Sequence, residues 1–311
     1  MNPACFFAFY LVFFSFNRNF APMKQVRPKK NLGQHFLTDL SIAKRIADTV
    51  DEPFADLPVL EVGPGMGVMT QYLVEKPRPL KVVEIDRESV EYLKATLFRG
   101  YGGAEAQGHE NSPSAESNLA LPHPRTPEPP IIEGDFLRMD LGEVFDGHPF
   151  VLTGNYPYDI SSQIFFKMLD YKDLIPCCTG MIQHEVALRM ASQPGNKQYG
   201  ILSVLIQAWY HVEYLFTVEP SVFNPPPKVQ SAVIRMTRNE VTDLGCDEQL
   251  FRRVVKTVFG QRRKMLRVSL RQLLPPESPF FEMHASLLTR RPEQLSIPEF
   301  VDLTNKLAAA L

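Results

Sequence analysis

The residues best suited to chemistry in this sequence are a carboxamide, a proline and an aromatic ring within positions 155–158. Asn155, Pro157 and Tyr158 follow the apolar run 150–154. A buried strand that ends in a polar turn places its next side chains at the carboxyl edge of a sheet, where open α/β sheets bind ligands. The carboxamide donates and accepts hydrogen bonds, the proline carbonyl accepts them, and the tyrosine offers a flat ring face. These groups suit a planar ring that carries an amino group, although an ordinary turn explains the four residues equally well.

A glycine-rich turn is the second candidate binding element. It occupies residues 63–67, directly after a predicted buried strand. Gly63 and Gly65 permit a tight turn and a close approach of the backbone to a ligand, as at nucleotide-binding strand-to-helix switches. Val68 stands where the dinucleotide fingerprint requires its third glycine, so a pyrophosphate cofactor is disfavoured. We predict that a helix over residues 68–74 follows the turn.

Acidic residues end the next two predicted strands. Glu84 lies 21 residues beyond Gly63, a spacing at which a carboxylate can accept both hydroxyls of a ribose. A helix cap is the alternative role for such an acid. The next strand carries Asp135 at its end, so four strands ending near Gly63, Glu84, Asp135 and Asn155 are predicted to line one edge of a sheet.

Together with residues 223–233 (Phe-Asn-Pro-Pro-Pro-Lys-Val-Gln-Ser-Ala-Val), these motifs resemble those of the ribosomal RNA adenine dimethyltransferases. The match is nearest to the bacterial enzymes that dimethylate two adjacent adenines near the 3′ end of small-subunit ribosomal RNA. It runs from about Lys24 to the C-terminal region, interrupted mainly by one insertion. The resemblance implies a doubly wound, Rossmann-like α/β methyltransferase domain, a small C-terminal helical domain and S-adenosylmethionine as the methyl donor.

The resemblance also implies roles for individual residues. It places Gln34 and the Gly63 loop near the methionine portion of the cofactor, Glu84 at the ribose and Asp135 at the adenine. The residues that it assigns to the cofactor are Asn31, Leu32, Gln34, Gly63, Gly65, Glu84, Asp135 and Asn155.

For the target base, the resemblance implies a position between Tyr158 and Phe223, with its amine at Asn155 and at the Pro157 carbonyl. Because methyl transfer to this amine needs no strong base, we expect the histidines to have structural or surface roles. Tyr156 stands where the family usually has leucine. Since the residue there acts mainly through its backbone, we expect little consequence.

The N-terminal part of the chain contains a phenylalanine-rich apolar run at residues 6–16. This run is shorter than the roughly 20 residues that span a bilayer, and it lacks a basic leader and a small-residue cleavage pattern. Met23 begins a stretch typical of the start of a cytoplasmic protein. We expect residues 1–22 to be a non-native or disordered extension, with a weak membrane anchor as the alternative, and the protein to be cytoplasmic with no membrane partner.

The apolar periodicity of residues 23–311 is interrupted twice, within residues 101–129 and between residues 237 and 243. Residues 101–129 are rich in glycine, serine and proline and are predicted to form a disordered insertion. The methyltransferase domain is expected over residues 23–237 and a helical, basic domain over residues 243–311. The four cysteines have no paired spacing and join no histidine cluster, so neither a disulfide framework nor a metal site is predicted.

A basic segment lies in the predicted helical domain. Between positions 250 and 274 the chain has eight basic residues and no acidic one, and Gly260 is expected to separate two helices. Such charge is usually only solvated, but beside a base-binding site it favours contact with an RNA backbone. The residues predicted to contact RNA are Arg262, Arg263, Lys264 and Arg267.

The expected function is therefore dimethylation of adenines in small-subunit ribosomal RNA, by a monomer acting on the immature small subunit. Alternative interpretations are a large-subunit ribosomal RNA adenine methyltransferase that confers antibiotic resistance, and a DNA adenine methyltransferase. A non-enzymatic assembly factor that binds immature subunits is compatible with the same basic segment.

Overall fold

A seven-stranded mixed sheet organises the molecule. The computed structural model describes residues 26, 28–29, 34–98 and 130–311, so the predictions for residues 1–22, Asn31, Leu32 and the insertion at 101–129 lie outside the described residues. The strands are β1 (Phe36–Leu37), β2 (Val59–Val62), β3 (Leu80–Glu84), β4 (Ile131–Glu133), β5 (Val151–Asn155), β6 (Cys177–Gln183), β7 (Tyr210–Val218), β8 (Phe223–Asn224) and β9 (Ser231–Arg238).

The strand order in the sheet is β4-β3-β2-β5-β6-β9-β7. The first five strands are parallel, whereas β9 runs antiparallel to both β6 and β7. The order reverses at β2 and β5, because the chain moves outward to β4 and then returns to the other side of β2. In open α/β sheets such a switch point leaves a crevice at the carboxyl ends of the strands.

Helices cover both faces of the sheet. They are α1 (Leu40–Ala47), α2 (Thr70–Leu73), α3 (Arg87–Thr96), α4 (Ser161–Asp170), α5 (His184–Ala191), α6 (Ile201–Gln207), α7 (Glu248–Gly260), α8 (Leu266–Ser269), α9 (Phe280–Met283), α10 (Ala285–Leu288) and α11 (Ile297–Ala308). Short 3-10 turns lie at Asp48–Val50, Pro220–Val222, Leu270–Gln272 and Pro292–Gln294.

The strand residues alternate between two hydrophobic clusters, since successive side chains of a strand point to opposite faces. Val59 and Val151 pack with α1 on one face, and Leu60 and Leu152 pack with α4, α5 and α6 on the other. The buried residues of α7 and α11 belong to that second cluster too. The predicted fold class, a doubly wound α/β sheet with C-terminal helices, is confirmed.

Local signals agree with the structure at several element boundaries. The Asp39 carboxylate caps α1 by accepting hydrogen bonds from the backbone N–H groups of Ser41 (2.9 Å) and Ile42 (3.2 Å). Helix α7 ends at Gly260, where a break was expected. The helix predicted over residues 68–74 is wrong in length, because only Thr70–Leu73 is helical and the preceding residues form turns. Gly67, which directly precedes the predicted helix, has a φ of +76° and belongs to the turn.

Candidate active site

A cavity of about 280 Å³ lies at the carboxyl edge of β2, β3, β4 and β5. The four strand ends predicted to converge do converge there, because these strands are parallel neighbours in the sheet. The predicted site residues that line the cavity are Gln34, Gly63, Gly65, Glu84, Asp135, Asn155, Pro157 and Tyr158.

The glycine turn and the end of β3 form one unit. The buried Glu84 carboxylate accepts hydrogen bonds from the backbone N–H of Gly65 (3.0 Å) and of Asp86 (2.8 Å). Burial raises the pKa of Glu84. Gly65 has a φ of +55° and packs against the ring of Phe36, where an added Cβ would lie 3.1 Å from a ring carbon. The carboxylate thus fixes the turn and keeps lone pairs for a ligand.

Glu61 is a second buried acid at the cavity, and sequence reasoning assigned it no role. It belongs to β2, is 1% exposed, and its Oε2 atom has no hydrogen-bond partner among the described residues. Burial and the nearby Glu84 charge raise the pKa of Glu61 to about 8. The sequence signal that could have identified Glu61 is an acidic residue inside an apolar strand just before a glycine turn. Because buried polar groups normally have partners, the free oxygen indicates a position for a polar ligand atom.

The N-terminal arm, of which the structure describes residues 28–29 and 34–35, lies beside this side of the cavity. The Lys29 Nζ atom lies 2.5 Å from the Asp86 carboxylate, whose side chain is almost fully buried. Gln34 donates to the same carboxylate at 3.4 Å, and its side-chain oxygen accepts from the Lys29 backbone N–H at 2.9 Å. These contacts hold Gln34 at the cavity wall beside the end of β3.

The turn after β5 presents the Asn155 carboxamide with a defined orientation. Its Nδ2 atom donates to the backbone carbonyl of His35 at 3.3 Å. With the amide nitrogen engaged there, Oδ1 is the atom left to accept a hydrogen bond. The neighbouring Pro157 carbonyl accepts a weak bond from the Ile160 N–H (3.3 Å) and retains a second lone pair.

Tyr158 is fixed at both ends of its side chain. Its hydroxyl forms a short hydrogen bond with Ser231, the buried first residue of β9, and its ring stacks on the His35 imidazole with centroids 5.7 Å apart. The His35 Nδ1 atom lies 2.7 Å from the Pro225 carbonyl. His35 therefore joins the arm, the Asn155 turn and the segment after β8, which is a structural role of the kind expected for the histidines.

Phe223 occupies a different environment from the other predicted base-binding residues. It is 4% exposed, packs in the cluster with Val218 and Leu37, and pairs with Leu37 where β8 meets β1. It does not line the cavity. The role of Phe223 as a ring that holds the target base together with Tyr158 remains a prediction.

Known proteins match this chain over most of its length. A model of the ribosomal RNA adenine dimethylase family matches residues 25–105 and 120–308. The chain belongs to the ribosomal RNA adenine dimethylase family. Ribosomal RNA small subunit methyltransferase A of Phocaeicola vulgatus is 62% identical over 289 residues, which cover 93% of this chain and 92% of that protein. The protein of the same name from Flavobacterium johnsoniae is 47% identical over 287 residues, covering 92% and 98%.

Solved structures of adenine dimethylase relatives show the same fold. A dimethyladenosine transferase from Plasmodium falciparum superposes with a TM-score of 0.64 at 23% identity, covering 88% of this chain and 98% of its own. The 23S rRNA methyltransferase ErmE gives a TM-score of 0.58 at 24% identity, covering 88% and 99%. At these identities the likeness supports the fold alone.

S-adenosylmethionine is the cofactor of this adenine dimethylase family, and the cavity suits it. Positive groups of the cofactor match the unpartnered Glu61 oxygen, and its ribose hydroxyls match the remaining lone pairs of Glu84. Asp135 lies at the same wall, where its carboxylate accepts from the Leu137 N–H at 2.9 Å. Which atoms of the cofactor each residue contacts remains a prediction.

The four basic residues predicted to contact RNA differ in their contacts with the rest of the protein. Arg262 is half-buried, donates to the Asn196 carbonyl at 3.3 Å and lies 4.0 Å from the Glu293 carboxylate. Arg263, Lys264 and Arg267 are exposed and form no ion pair with any described residue. Exposed cations without partners are the ones available to phosphate groups.

Two kinds of feature are absent from the described part of the chain. No three His, Cys, Asp or Glu side chains there are grouped so that they could hold a metal ion. No helix among the same residues is long and apolar enough to cross a membrane.

Proposed function

We propose that this dimethylase transfers methyl groups from S-adenosylmethionine to the exocyclic amines of two adjacent adenines near the 3′ end of small-subunit ribosomal RNA. The observation that carries the proposal is the oriented Asn155 carboxamide beside the Pro157 carbonyl at the cavity edge. The small-subunit target is supported by the names of the relatives that match more than nine-tenths of the chain.

The reaction needs the adenine amine to act as a nucleophile although its lone pair is delocalised into the ring. Acceptance of the two amine hydrogens by Asn155 Oδ1 and by the Pro157 carbonyl favours a pyramidal nitrogen whose lone pair is free to attack. The bond from Asn155 Nδ2 to the His35 carbonyl keeps the amide from rotating its nitrogen toward the substrate. Such preorganised polar groups lower the barrier because they need no rearrangement during the reaction.

When bound, S-adenosylmethionine would supply an electrophilic methyl group on its sulfonium sulfur, and breakage of the S–C bond as the new N–C bond forms would leave a neutral thioether. The amine nitrogen then loses one proton to solvent. No side chain with a strongly basic pKa is required for this step, since the nitrogen becomes acidic only after the methyl group has been transferred. In-line alignment of the amine with the methyl group supplies the remaining acceleration.

Tyr158 binds the plane of the target base in this proposal. Its hydroxyl bond to Ser231 fixes the ring, and burial raises the pKa of Tyr158, so the hydroxyl remains protonated and uncharged. A neutral ring gives a stacking surface without placing a negative charge near the RNA. Because His35 stacks on this ring, a base that uses the same face must move the imidazole.

The basic segment provides the RNA-backbone contacts. Among its residues predicted to contact RNA, Arg263, Lys264 and Arg267 are exposed and without an ion pair to a described residue, whereas Arg262 is partly committed to Glu293 and Asn196. We propose that these groups hold the immature small ribosomal subunit while the base enters the cavity, and that the chain acts as a cytoplasmic monomer.

The test is methylation of immature small subunits, mature small subunits and large-subunit ribosomal RNA by the purified chain, with modified nucleotides mapped by mass spectrometry. We expect dimethyladenosine at two adjacent small-subunit positions and no modification of the large-subunit RNA. Methylation confined to the large-subunit RNA would refute the proposed substrate. Binding of immature subunits without any methylation would instead identify an assembly factor.

A further inference from the structure

Tyr156 lies between the two residues that are proposed to hold the adenine amine, Asn155 and Pro157. Its side chain is 1% exposed, although the segment around it leaves the sheet to form the active-site turn. A residue at this position can act through its backbone alone, as the sequence comparison with the family suggested. The structure shows a second set of contacts, made by the phenol.

Two hydrogen bonds join Tyr156 to β6, one from each end of the residue. Its backbone N–H donates to the Met181 carbonyl at 3.0 Å, and its hydroxyl donates to the Thr179 carbonyl at 2.9 Å. The hydroxyl also lies 3.2 Å from the Cys178 sulfur. Burial raises the pKa of Tyr156 well above that of an exposed phenol, so the hydroxyl stays protonated and can donate.

The ring occupies a slot made by two glycines. A Cβ at Gly180 would lie 2.2 Å from the Gly154 carbonyl oxygen and 2.8 Å from the Tyr156 ring, and Gly180 has a φ of +142°. A Cβ at Gly154 would lie 3.3 Å from the same ring. The ring also meets Phe165 of α4 edge-on, with centroids 5.4 Å apart. The phenol therefore contacts β5 and α4, which flank the turn in the chain, and also β6.

We propose that the Tyr156 phenol is a positioning group for methyl transfer, which fixes the turn so that Asn155 Oδ1 and the Pro157 carbonyl keep their separation. A backbone bond at one point allows the turn to pivot, whereas a second bond at the tip of the same side chain removes that freedom. Small displacements of catalytic groups cost large factors in rate. The role rests on the proposed function, because it matters only if the turn binds the amine.

Tyr156→Phe tests the proposal, with Tyr210→Phe as a matched control. Tyr210 is also 1% exposed, and its hydroxyl donates to the Ile175 carbonyl at 2.8 Å, but it does not line the cavity. Each substitution removes one buried phenol-to-carbonyl hydrogen bond, so the two should lower the thermal unfolding midpoint by similar amounts. Single-turnover methylation of immature small subunits, at saturating cofactor and RNA, then separates positioning from stability.

We expect Tyr156→Phe to lower the single-turnover rate about 10-fold, the scale of one lost hydrogen bond in a preorganised site, while the dissociation constants of cofactor and RNA change less than about threefold. Tyr210→Phe should retain the wild-type rate. Tyr156→Leu should be at least as slow as Tyr156→Phe, because it lacks both the hydroxyl and the ring.

Equal single-turnover rates for Tyr156→Phe and wild type, or equal losses in Tyr156→Phe and Tyr210→Phe, would overturn the positioning role. If Tyr156→Phe does not fold, Tyr156→Leu is measured in its place, and a wild-type rate in that variant refutes the role too. Failure of the proposed function is distinguishable, since wild-type protein would then leave small-subunit RNA unmethylated in the same assay.

Discussion

The two halves of the cavity differ in how completely their groups are held. On the cofactor side, Glu84 and the glycine turn fix each other through backbone hydrogen bonds, and Glu61 is buried beside them. On the base side, Tyr158 stacks on His35, and Phe223 is buried away from the cavity. The acids and the glycine turn of the cofactor half lie at the ends of adjacent strands of one sheet, with Gln34 of the arm beside them, whereas the base half combines the arm, the turn and the segment after β8.

The cofactor and the target base are therefore expected to bind sites of different construction. Groups at the ends of neighbouring parallel strands keep their spacing because the sheet fixes it, so we expect the cofactor half to be formed without RNA. Groups on separate irregular segments have no shared sheet to fix their spacing, so we expect the base half to be completed when the base enters. Asn155 belongs to both halves, since it ends β5 and also contacts the arm at His35.

The largest effect is expected from Asn155→Ala. It removes the amide that is proposed to accept the amine hydrogen, so methyl transfer should slow by about 100-fold or more, the scale of one preorganised polar group in a transition state. Cofactor affinity should change by less than about threefold. Single-turnover kinetics and calorimetry measure the two quantities, and a rate loss explained entirely by weaker cofactor binding would place Asn155 in the cofactor half alone.

Glu84→Ala should act on the cofactor half. It removes the ribose acceptor and also frees the N–H groups of Gly65 and Asp86, so we expect about 100-fold weaker S-adenosylmethionine binding. Asp135→Ala should weaken it about 10-fold, consistent with roughly 1.5–3 kcal/mol for a hydrogen bond to a charged group. Glu84→Gln is the control of similar size. Unchanged affinity in both alanine variants would contradict the cofactor assignment.

Tyr158→Ala and Phe223→Ala should act on the base half, where a lost stacking face costs about 1–3 kcal/mol. A monomethylated amine has one hydrogen left to bond, so the second transfer depends more on stacking, and monomethyladenosine should accumulate. Phe223→Leu keeps most of the buried apolar volume without a ring face. Nucleoside mass spectrometry over time measures the products. If Phe223→Leu behaves as wild type, Phe223 is a core residue and not a wall of the base site.

The smallest expected effect is a proton release at Glu61. Its pKa of about 8 lies above the ordinary 4.5, so between these pH values the folded, cofactor-free chain holds more protons than the unfolded chain. The contribution of Glu61 to stability therefore falls as pH rises through this window. A bound cation favours the carboxylate, so cofactor binding at pH 7 should release up to about one proton.

Calorimetric titrations in two buffers with different ionisation heats measure that proton release. Glu61→Gln should abolish it, because the amide does not titrate. The same variant should reduce the loss of thermal stability between pH 6 and pH 8. Identical proton release in wild type and Glu61→Gln would show that another group is responsible.

The sequence predicts the cofactor half better than the base half. Gly63, Glu84, Asp135 and Asn155 converge because the strand pattern and the parallel order dictate where strand ends meet. The burial of Phe223 depends on the pairing of β8 with β1, which joins residues almost 190 positions apart and has no local signal. Likewise, the contacts of Arg262 with Asn196 and Glu293 arise from packing between distant segments.

Glu61 and Tyr156 show a second limit of the sequence. Tyr156 lies inside one sequence motif and Glu61 lies just before another, and both side chains were given no role, because their burial decides what they do. Glu61 is important because its oxygen has no partner, and the Tyr156 ring is held because Gly154 and Gly180 leave space for it. Such properties follow from which neighbouring strands pack beside them.

The most direct test of a preformed cofactor half is a calorimetric titration of the RNA-free chain with S-adenosylmethionine, repeated with the small-subunit RNA bound. We predict one binding site per chain without RNA, and an affinity that changes by less than about threefold when RNA is present. Binding that occurs only with RNA would contradict the preformed cofactor half, and would mean that the base side must close before the cofactor can be held.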